Sequence, residues 1–386
     1  FSSLRENHGE MLEGKLSFGA LHRFAASVPK VLTTNQALIQ STEFLTTNIP
    51  PRAAKRSLAL LDLPKSWPSV SQLAKRYEDL ANCPFPSIVD GKRKQVDTGA
   101  ALAFGTWYEN KMLVLEHEIA EYQLLLRDMM DHRVLTPGQP EVESFLSATY
   151  NNLIVSTLLL NQHKNYVRLA GKAADEITQD HYNALPVVTR YCNLLELAAD
   201  VADDCRSECI KSHGDAPDVV VTAGRGFEVD QPGSTGAPKL LVVKAHVYFV
   251  LREVLLRAMD STAIALGRRV QTSPPIQITL SKSESEIGIR ISDRSGGIPP
   301  QLRGLEFCFL FDPLPHAVHN SAHAERGVHP TKPSGSRWAG PGLGLPLARL
   351  HCRLAGGDLV LQNLPGHGTD AFITLSRFGT AALSDD

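Results

Sequence analysis

Three short segments in the second half of the chain carry residue types and spacings suited to holding a nucleotide. Ile291-Ser292-Asp293-Arg294-Ser295-Gly296-Gly297-Ile298-Pro299 ends a strand-like run with an acid and follows it with a flexible turn. Gly340-Pro341-Gly342-Leu343-Gly344-Leu345-Pro346 opens a helix-like run with closely spaced glycines, and Gly366-His367-Gly368-Thr369-Asp370 lies in a terminal hairpin. A carboxylate at a strand end can accept the exocyclic amine of adenine, and backbone without side chains at a helix start can approach phosphates with its N–H groups. Singly each segment is weak, since glycine-rich helix starts are more often simple turns. Their order, with Glu253 on an upstream helix, makes the set specific. Asp293, Gly297, Gly342, Gly344 and Thr369, together with Arg257 on the helix of Glu253, are the candidate nucleotide-binding residues.

Other reactive side chains form weaker patterns. Six cysteines, Cys83, Cys192, Cys205, Cys209, Cys308 and Cys352, are scattered without the spacing of a disulfide scaffold or a paired zinc motif. Cys205 and Cys209 share a helix face at i, i+4, but no second ligand pair is expected near them, so they read as buried thiols. His316, His319, His323 and His329 lie among prolines in the stretch from Asp312 to Trp338, which reads as a solvated loop rather than a metal site. No metal site is expected.

The elements that must position these residues fall into two halves. Up to about Lys172 the apolar spacing is helical: Ser17 to Val28, Thr34 to Ile49, Pro51 to Leu61, Ser69 to Ala81, and the longer runs Ala100 to Arg133 and Val142 to Leu169. Pro51 sits where a helix can begin. Beyond about Leu185 the texture becomes mixed, with helices predicted over Pro186 to Lys211, Ala245 to Leu266 and Leu343 to Ala355. Strands are predicted over Val219 to Ala223, Leu240 to Lys244, Ile276 to Ser281, Ile287 to Ser292, Asp358 to Gln362 and Asp370 to Ser376. The absence of regular βαβ alternation makes the fold class α+β. The expected layout is a four-helix-type bundle over residues 1–178, an α/β sandwich over 179–378, and a loose tail over 379–386.

With 43% hydrophobic and 21% charged residues, the composition is that of a globular protein rather than a disordered or fibrous one. A formal charge of -2 gives no global field toward nucleic acid or anionic lipid, so direct nucleic-acid binding is not expected and any partner is found by local surface. The apolar stretch from Leu153 to Leu160 falls well short of the roughly 18 residues a membrane span needs.

The order of a helix motif containing Glu253, the Asp293 box, the glycine box and the Gly368-Thr369 hairpin resembles the gyrase, heat-shock ATPase and histidine-kinase (GHKL) superfamily. Within it, Gly342-Leu343-Gly344-Leu345-Pro346-Leu347-Ala348-Arg349, Gly356-Gly357-Asp358-Leu359 and Gly366-His367-Gly368-Thr369-Asp370-Ala371 resemble the mitochondrial α-keto acid dehydrogenase kinases, which act on pyruvate and branched-chain dehydrogenases. Leu16-Ser17, the stretch from Phe44-Leu45 to Pro51-Arg52, Leu63-Pro64 and Asn161-Gln162-His163 follow that family's bundle in the same order, so the resemblance covers nearly the whole chain. It implies ATP or ADP as ligand, a protein partner in a mitochondrial assembly, the mitochondrial matrix as location, and leaves a dimer open. The start at Phe1 is compatible with a leader removed upstream.

Departures from the family's motifs bear on activity. Its helix motif reads Glu-x-x-Lys-Asn-Ala-Met-Arg-Ala, whereas this chain reads Glu253-Val254-Leu255-Leu256-Arg257-Ala258-Met259-Asp260-Ser261. Arg257 thus stands where the resemblance places the Asn that holds Mg²⁺. A guanidinium offers only donors and a permanent positive charge, so it repels a cation but can pair with phosphate oxygens, and Mg²⁺ is not expected to be held in the family's manner. Glu253, which the resemblance makes the catalytic base, is retained. Ser295 replaces a box glycine, Pro341 removes an N–H, and Leu153 and Thr157 replace two arginines. The tail lacks the Asp-Trp element by which the family's dimers exchange arms. The leading reading is a degenerate kinase kept as a structural or regulatory subunit. The competing reading is an active Ser/Thr kinase in which Arg257 takes over the metal's electrostatic role, and a third is a phosphohistidine sensor with His163 as acceptor.

Overall fold

The computed structural model describes residues 34–63, 67, 70–85, 88–89, 92–93, 96–170, 172, 186–224, 239–311 and 342–378, with Phe18, Leu21 and His22. Among the described residues, the first half is built mainly from four helices: α1 (Thr34–Leu61), α2 (Val70–Ala81), α3 (Thr98–Asp131) and α4 (Pro140–Ala170). The last of these is buried almost all round along Asn151 to Leu160, as a helix at the centre of a bundle must be. The short strands β1 (Ile88–Val89) and β2 (Lys92–Arg93) pair as a small ribbon between α2 and α3.

The break expected before Pro51 does not occur, and α1 runs through Pro50 and Pro51 as one helix. Each proline removes a backbone donor. Ile49, Pro50, Ala53, Ala54, Ser57 and Leu60 are buried in register with the earlier turns. Packing against α2 and α4 therefore holds the helix together across the gap. Just before the prolines, Thr46, Thr47 and Asn48 bond back to carbonyls of the preceding turn.

The second half begins with β3 (Thr189–Tyr191), where the sequence predicts the first turn of a helix. That helix, α5 (Leu194–His213), starts later, at an Asn193 cap whose Oδ1 accepts from the Glu196 N–H at 3.3 Å. It ends at Gly214, in the left-handed region at φ 81°. Next come β4 (Val219–Ala223), β5 (Lys239–Val242), which pairs with β3, and α6 (Lys244–Leu266). The remaining elements are β6 (Ile276–Lys282), β7 (Glu286–Ser292), α7 (Gly344–Leu354), β8 (Leu359–Leu364) and β9 (Gly368–Ser376).

Among the described residues, one five-stranded sheet, ordered β4-β6-β7-β9-β8, carries this half. The β4–β6 pair is parallel and the others antiparallel. Alternation sends Ile276, Ile278, Leu280, Ile287, Ile289, Ile291, Ala371, Ile373 and Leu375 to one buried face. The register sets Ile278 beside Ile291 and Ile289 beside Ile373. Apolar residues of α6 and α7, among them Leu251, Leu255 and Leu347, share one core with that face, and α5 packs on α6. The architecture is the expected α+β sandwich, and its core runs without interruption into the helical bundle.

The two halves meet at the start of α4. The Phe309 N–H donates to both oxygens of Glu143, at 3.0 and 3.2 Å, and the Phe309 ring stacks on Tyr150 at 5.7 Å. Burial raises the Glu143 carboxyl above its usual value, against the N–H groups of Phe309 and Gly138. The boundary at residue 178, most of the helix expected from Ser17 to Val28, His316, His319, His323, His329, Gly340, Pro341 and the tail lie outside the described residues. Among the described residues no helix is long and apolar enough to cross a membrane.

Candidate functional site

Asp293 follows β7, where that strand pairs with β9, and is 5% exposed. Its N–H donates to the Thr369 carbonyl at 3.0 Å, and its Oδ1 accepts from the Thr369 N–H at 3.2 Å. The same oxygen also accepts from the Ser295 N–H at 2.9 Å and the Ser295 hydroxyl at 2.6 Å. Three donors therefore converge on Oδ1 and orient the carboxylate, while Oδ2 takes none of these bonds. Ser295, which reads in the sequence only as a lost glycine, supplies two of the three.

Glycines make this arrangement possible by close approach. A Cβ on Gly368 would lie 2.0 Å from the Asp293 carbonyl oxygen. Gly297 sits at φ +87°, and its Cβ would lie 2.5 Å from Asn363 Oδ1. Asn363 in turn accepts from the Ile298 N–H and donates to the Ile298 carbonyl, at 2.8 and 2.9 Å, fixing the turn after the acid. Asp293, Gly297 and Thr369 thus form one cluster, as the sequence predicts. Its oriented acid on a rigid turn has the chemistry to receive the amine of a nucleobase.

Glu253 and Gly344 form a second cluster. Glu253 lies on α6, and a Cβ on Gly344 at the start of α7 would meet its Oε2 at 2.4 Å. The Arg252 guanidinium donates to Glu253 Oε1 at 2.7 Å and to Glu208 of α5 at 2.6 Å. Burial raises the Glu253 carboxyl above the usual range, against the pull of Arg252. Arg257 stands one turn along α6 on the same side as Glu253 and is half-buried. Gly342 has a structural reason to be glycine: at φ +75°, its Cβ would lie 2.5 Å from the carbonyl carbon of Leu310, whose N–H donates to the Gly342 carbonyl at 2.8 Å.

These geometries test the fit of a nucleotide and its metal. The Asp293 end offers an oriented acceptor on a rigid turn and fits an adenine. The α6 end does not fit a magnesium ion, because Glu253 is engaged by a guanidinium and Arg257 has no oxygen to offer.

Other motif residues brace the fold. Arg349 grips both oxygens of Asp358, at 2.9 and 3.0 Å, and lies over the Phe307 ring. Burial opposes ionisation of Asp358, but Arg349, the Leu359 N–H and Arg353 together lower its carboxyl to about 2. Leu153 is fully buried in the bundle. His163 is also fully buried, with Nδ1 at 3.0 Å from the Ser41 hydroxyl, and burial lowers its imidazole to about 4. That is the environment of a packing histidine, not of a phosphate acceptor.

One grouping escapes sequence reasoning. Cys209 and His213, four residues apart near the end of α5, meet Asp260 of α6, which corrects the expectation that no ligand pair stands near Cys209. The i, i+4 spacing of Cys209 and His213 was the available signal, but the third member arrives only through helix packing. Burial pushes the Cys209 thiol up to about 12, with Asp260, Asp215 and Glu208 adding to the rise.

Comparison with known proteins follows the same lines. Residues 243–378 match the family described as histidine kinase-, DNA gyrase B-, and HSP90-like ATPase. The mitochondrial [pyruvate dehydrogenase (acetyl-transferring)] kinase of Schizosaccharomyces pombe is 27% identical over 62% of this chain and 52% of its own length. The Arabidopsis thaliana kinase of the same name is 24% identical over 90% of this chain and 87% of its own. Isozyme 1 from Homo sapiens is 27% identical over 63% of this chain and 51% of its own. The chain thus spans about half the length of the yeast and human relatives and most of the plant one. The solved catalytic domain of histidine kinase ThkA aligns at 16% identity and a TM-score of 0.33, over 49% of this chain and 97% of that one. The chain carries a histidine kinase-, DNA gyrase B- and HSP90-like ATPase domain over residues 243–378, and its similarity to mitochondrial pyruvate dehydrogenase kinases supports its membership of that family.

Proposed function

We propose that this chain is a degenerate member of its family, one that binds nucleotide through its adenine end and serves as a structural or regulatory subunit of a mitochondrial assembly. The observation that carries the proposal lies on α6. Arg257 stands one turn from Glu253, and Glu253 is itself engaged by Arg252. In-line phosphoryl transfer relies on a metal to neutralise charge on the transferring group and on a base free to orient the acceptor hydroxyl. Here one requirement meets a cation and the other an ion pair. The relatives' printed names make them mitochondrial kinases, which supports a mitochondrial location for this chain, and we place it in the matrix with a protein partner.

Retention of Glu253 supports a second reading, an active ATP-dependent Ser/Thr kinase acting on a mitochondrial dehydrogenase complex. Its raised carboxyl is a property of a general base. Incubation of the purified chain with γ-labelled ATP, Mg²⁺ and a dehydrogenase complex separates the two. The degenerate reading expects no label on the dehydrogenase above that given by Glu253→Gln. Serine labelling that Glu253→Gln abolishes establishes the active kinase instead.

A further inference from the structure

We infer that Cys209, His213 and Asp260 form a Zn²⁺ site that joins α5 to α6. Their ligand atoms, Sγ, an imidazole nitrogen and a carboxylate oxygen, all lie within 4.8 Å of one another. His213 Nε2 is already 2.9 Å from Asp260 Oδ1. Bond lengths of about 2.0 to 2.3 Å to a tetrahedral zinc set ligand atoms roughly 3.3 to 3.8 Å apart. Side-chain adjustments of about 1 Å or less bring the three to those separations.

The surroundings suit a cation. Cys209 is fully buried, and the side chains of His213 and Asp260 are only 12% and 18% exposed, so the ligands lie just below the surface. The Cys209 thiol donates to the Asp215 carbonyl at 3.5 Å, and metal binding replaces that proton while leaving the sulfur as thiolate. His213 is the last residue of α5, where the carbonyl end of the helix dipole favours positive charge. The mixed S, N and O set favours zinc over magnesium or calcium, which take oxygen ligands. Three protein ligands leave a fourth position for water.

Position gives the site its consequence. Asp260 lies two turns beyond Glu253 on α6, and the Glu208–Arg252–Glu253 chain already clips α5 to α6 at the end of that interval nearer the nucleotide residues. Zinc at Cys209, His213 and Asp260 supplies a second clip on the helix that carries Glu253 and Arg257. It does so whether or not nucleotide binds.

The test uses the untagged full chain, stripped with a chelator and titrated with Co²⁺ and, separately, with Zn²⁺. The expected result is about one metal per chain, an intense visible spectrum typical of tetrahedral cobalt, and a thiolate-to-cobalt charge-transfer band. Cys209→Ser removes that band, and Asp260→Asn weakens metal binding by about tenfold or more. Cys205→Ser, whose parent thiol bonds to the Arg252 carbonyl instead, leaves metal binding as it was. Should Cys209→Ser fail to fold, the wild-type cobalt spectrum and Asp260→Asn still decide. An absent charge-transfer band in the wild-type chain, or a band that persists in a folded Cys209→Ser, overturns the assignment.

Discussion

The Glu253 carboxylate occupies the space that a side chain at position 344 would need, with Oε2 2.4 Å from the place of the missing Gly344 Cβ. This glycine, read in the sequence as part of a phosphate loop, is small in the structure because of an acid on α6. The acid has little freedom to move aside, since Arg252 holds it and is held in turn by Glu208.

Gly344→Ala is therefore expected to destabilise the chain by about 1–3 kcal/mol, the usual cost of inserting a methyl group into a packed site. Gly344→Ala combined with Glu253→Ala is expected to recover much of that loss. Thermal denaturation of the single and double variants measures the coupling. Additive losses contradict the contact.

Asp293→Asn is expected to weaken adenine nucleotide binding about tenfold, because the amide places a donor toward the nucleobase amine, at a cost of about 1.4 kcal/mol. Titration calorimetry with ADP measures it. Unchanged affinity places the nucleobase elsewhere.

Acid sensitivity is expected from His163. Its folded imidazole lies near 4, against an ordinary value of 6.5, so between those values the unfolded chain takes up a proton that the folded chain refuses. The stability this histidine permits is complete above pH 6.5 and declines as pH falls toward 4, by on the order of 3 kcal/mol. Chemical denaturation of the wild type and His163→Gln across that range isolates the effect. Parallel pH profiles contradict it.

Glu143→Ala is expected to free the Phe309 N–H and loosen the 305–311 segment from the bundle. Hydrogen exchange at Phe309 faster by about tenfold, with little change in exchange along β7, is the predicted signature. Equal rates show that the Tyr150 stacking alone holds the segment.

Legibility in the sequence followed the range of the interactions. The β6–β7 and β8–β9 hairpins show plainly because alternation and a nearby turn encode them locally. The β3 strand reads as helix because three residues carry little periodicity and its partner β5 lies some fifty residues away. Pro50 and Pro51 signal a break that only tertiary packing overrides. At the site, Asp293, Gly297 and Thr369 are legible because motif order places them on adjacent strand ends. The closing of Glu253 on Gly344 and of Asp260 on His213 depends on how α6 sits against α7 and α5, which no local pattern records.

The role of Arg257 is tested most directly by measuring ATP affinity by calorimetry in excess Mg²⁺ and again in excess chelator. A guanidinium in the metal ligand's place predicts the same affinity in both, within about twofold. Affinity that rises about tenfold or more with Mg²⁺, in the wild type as in Arg257→Asn, contradicts the account.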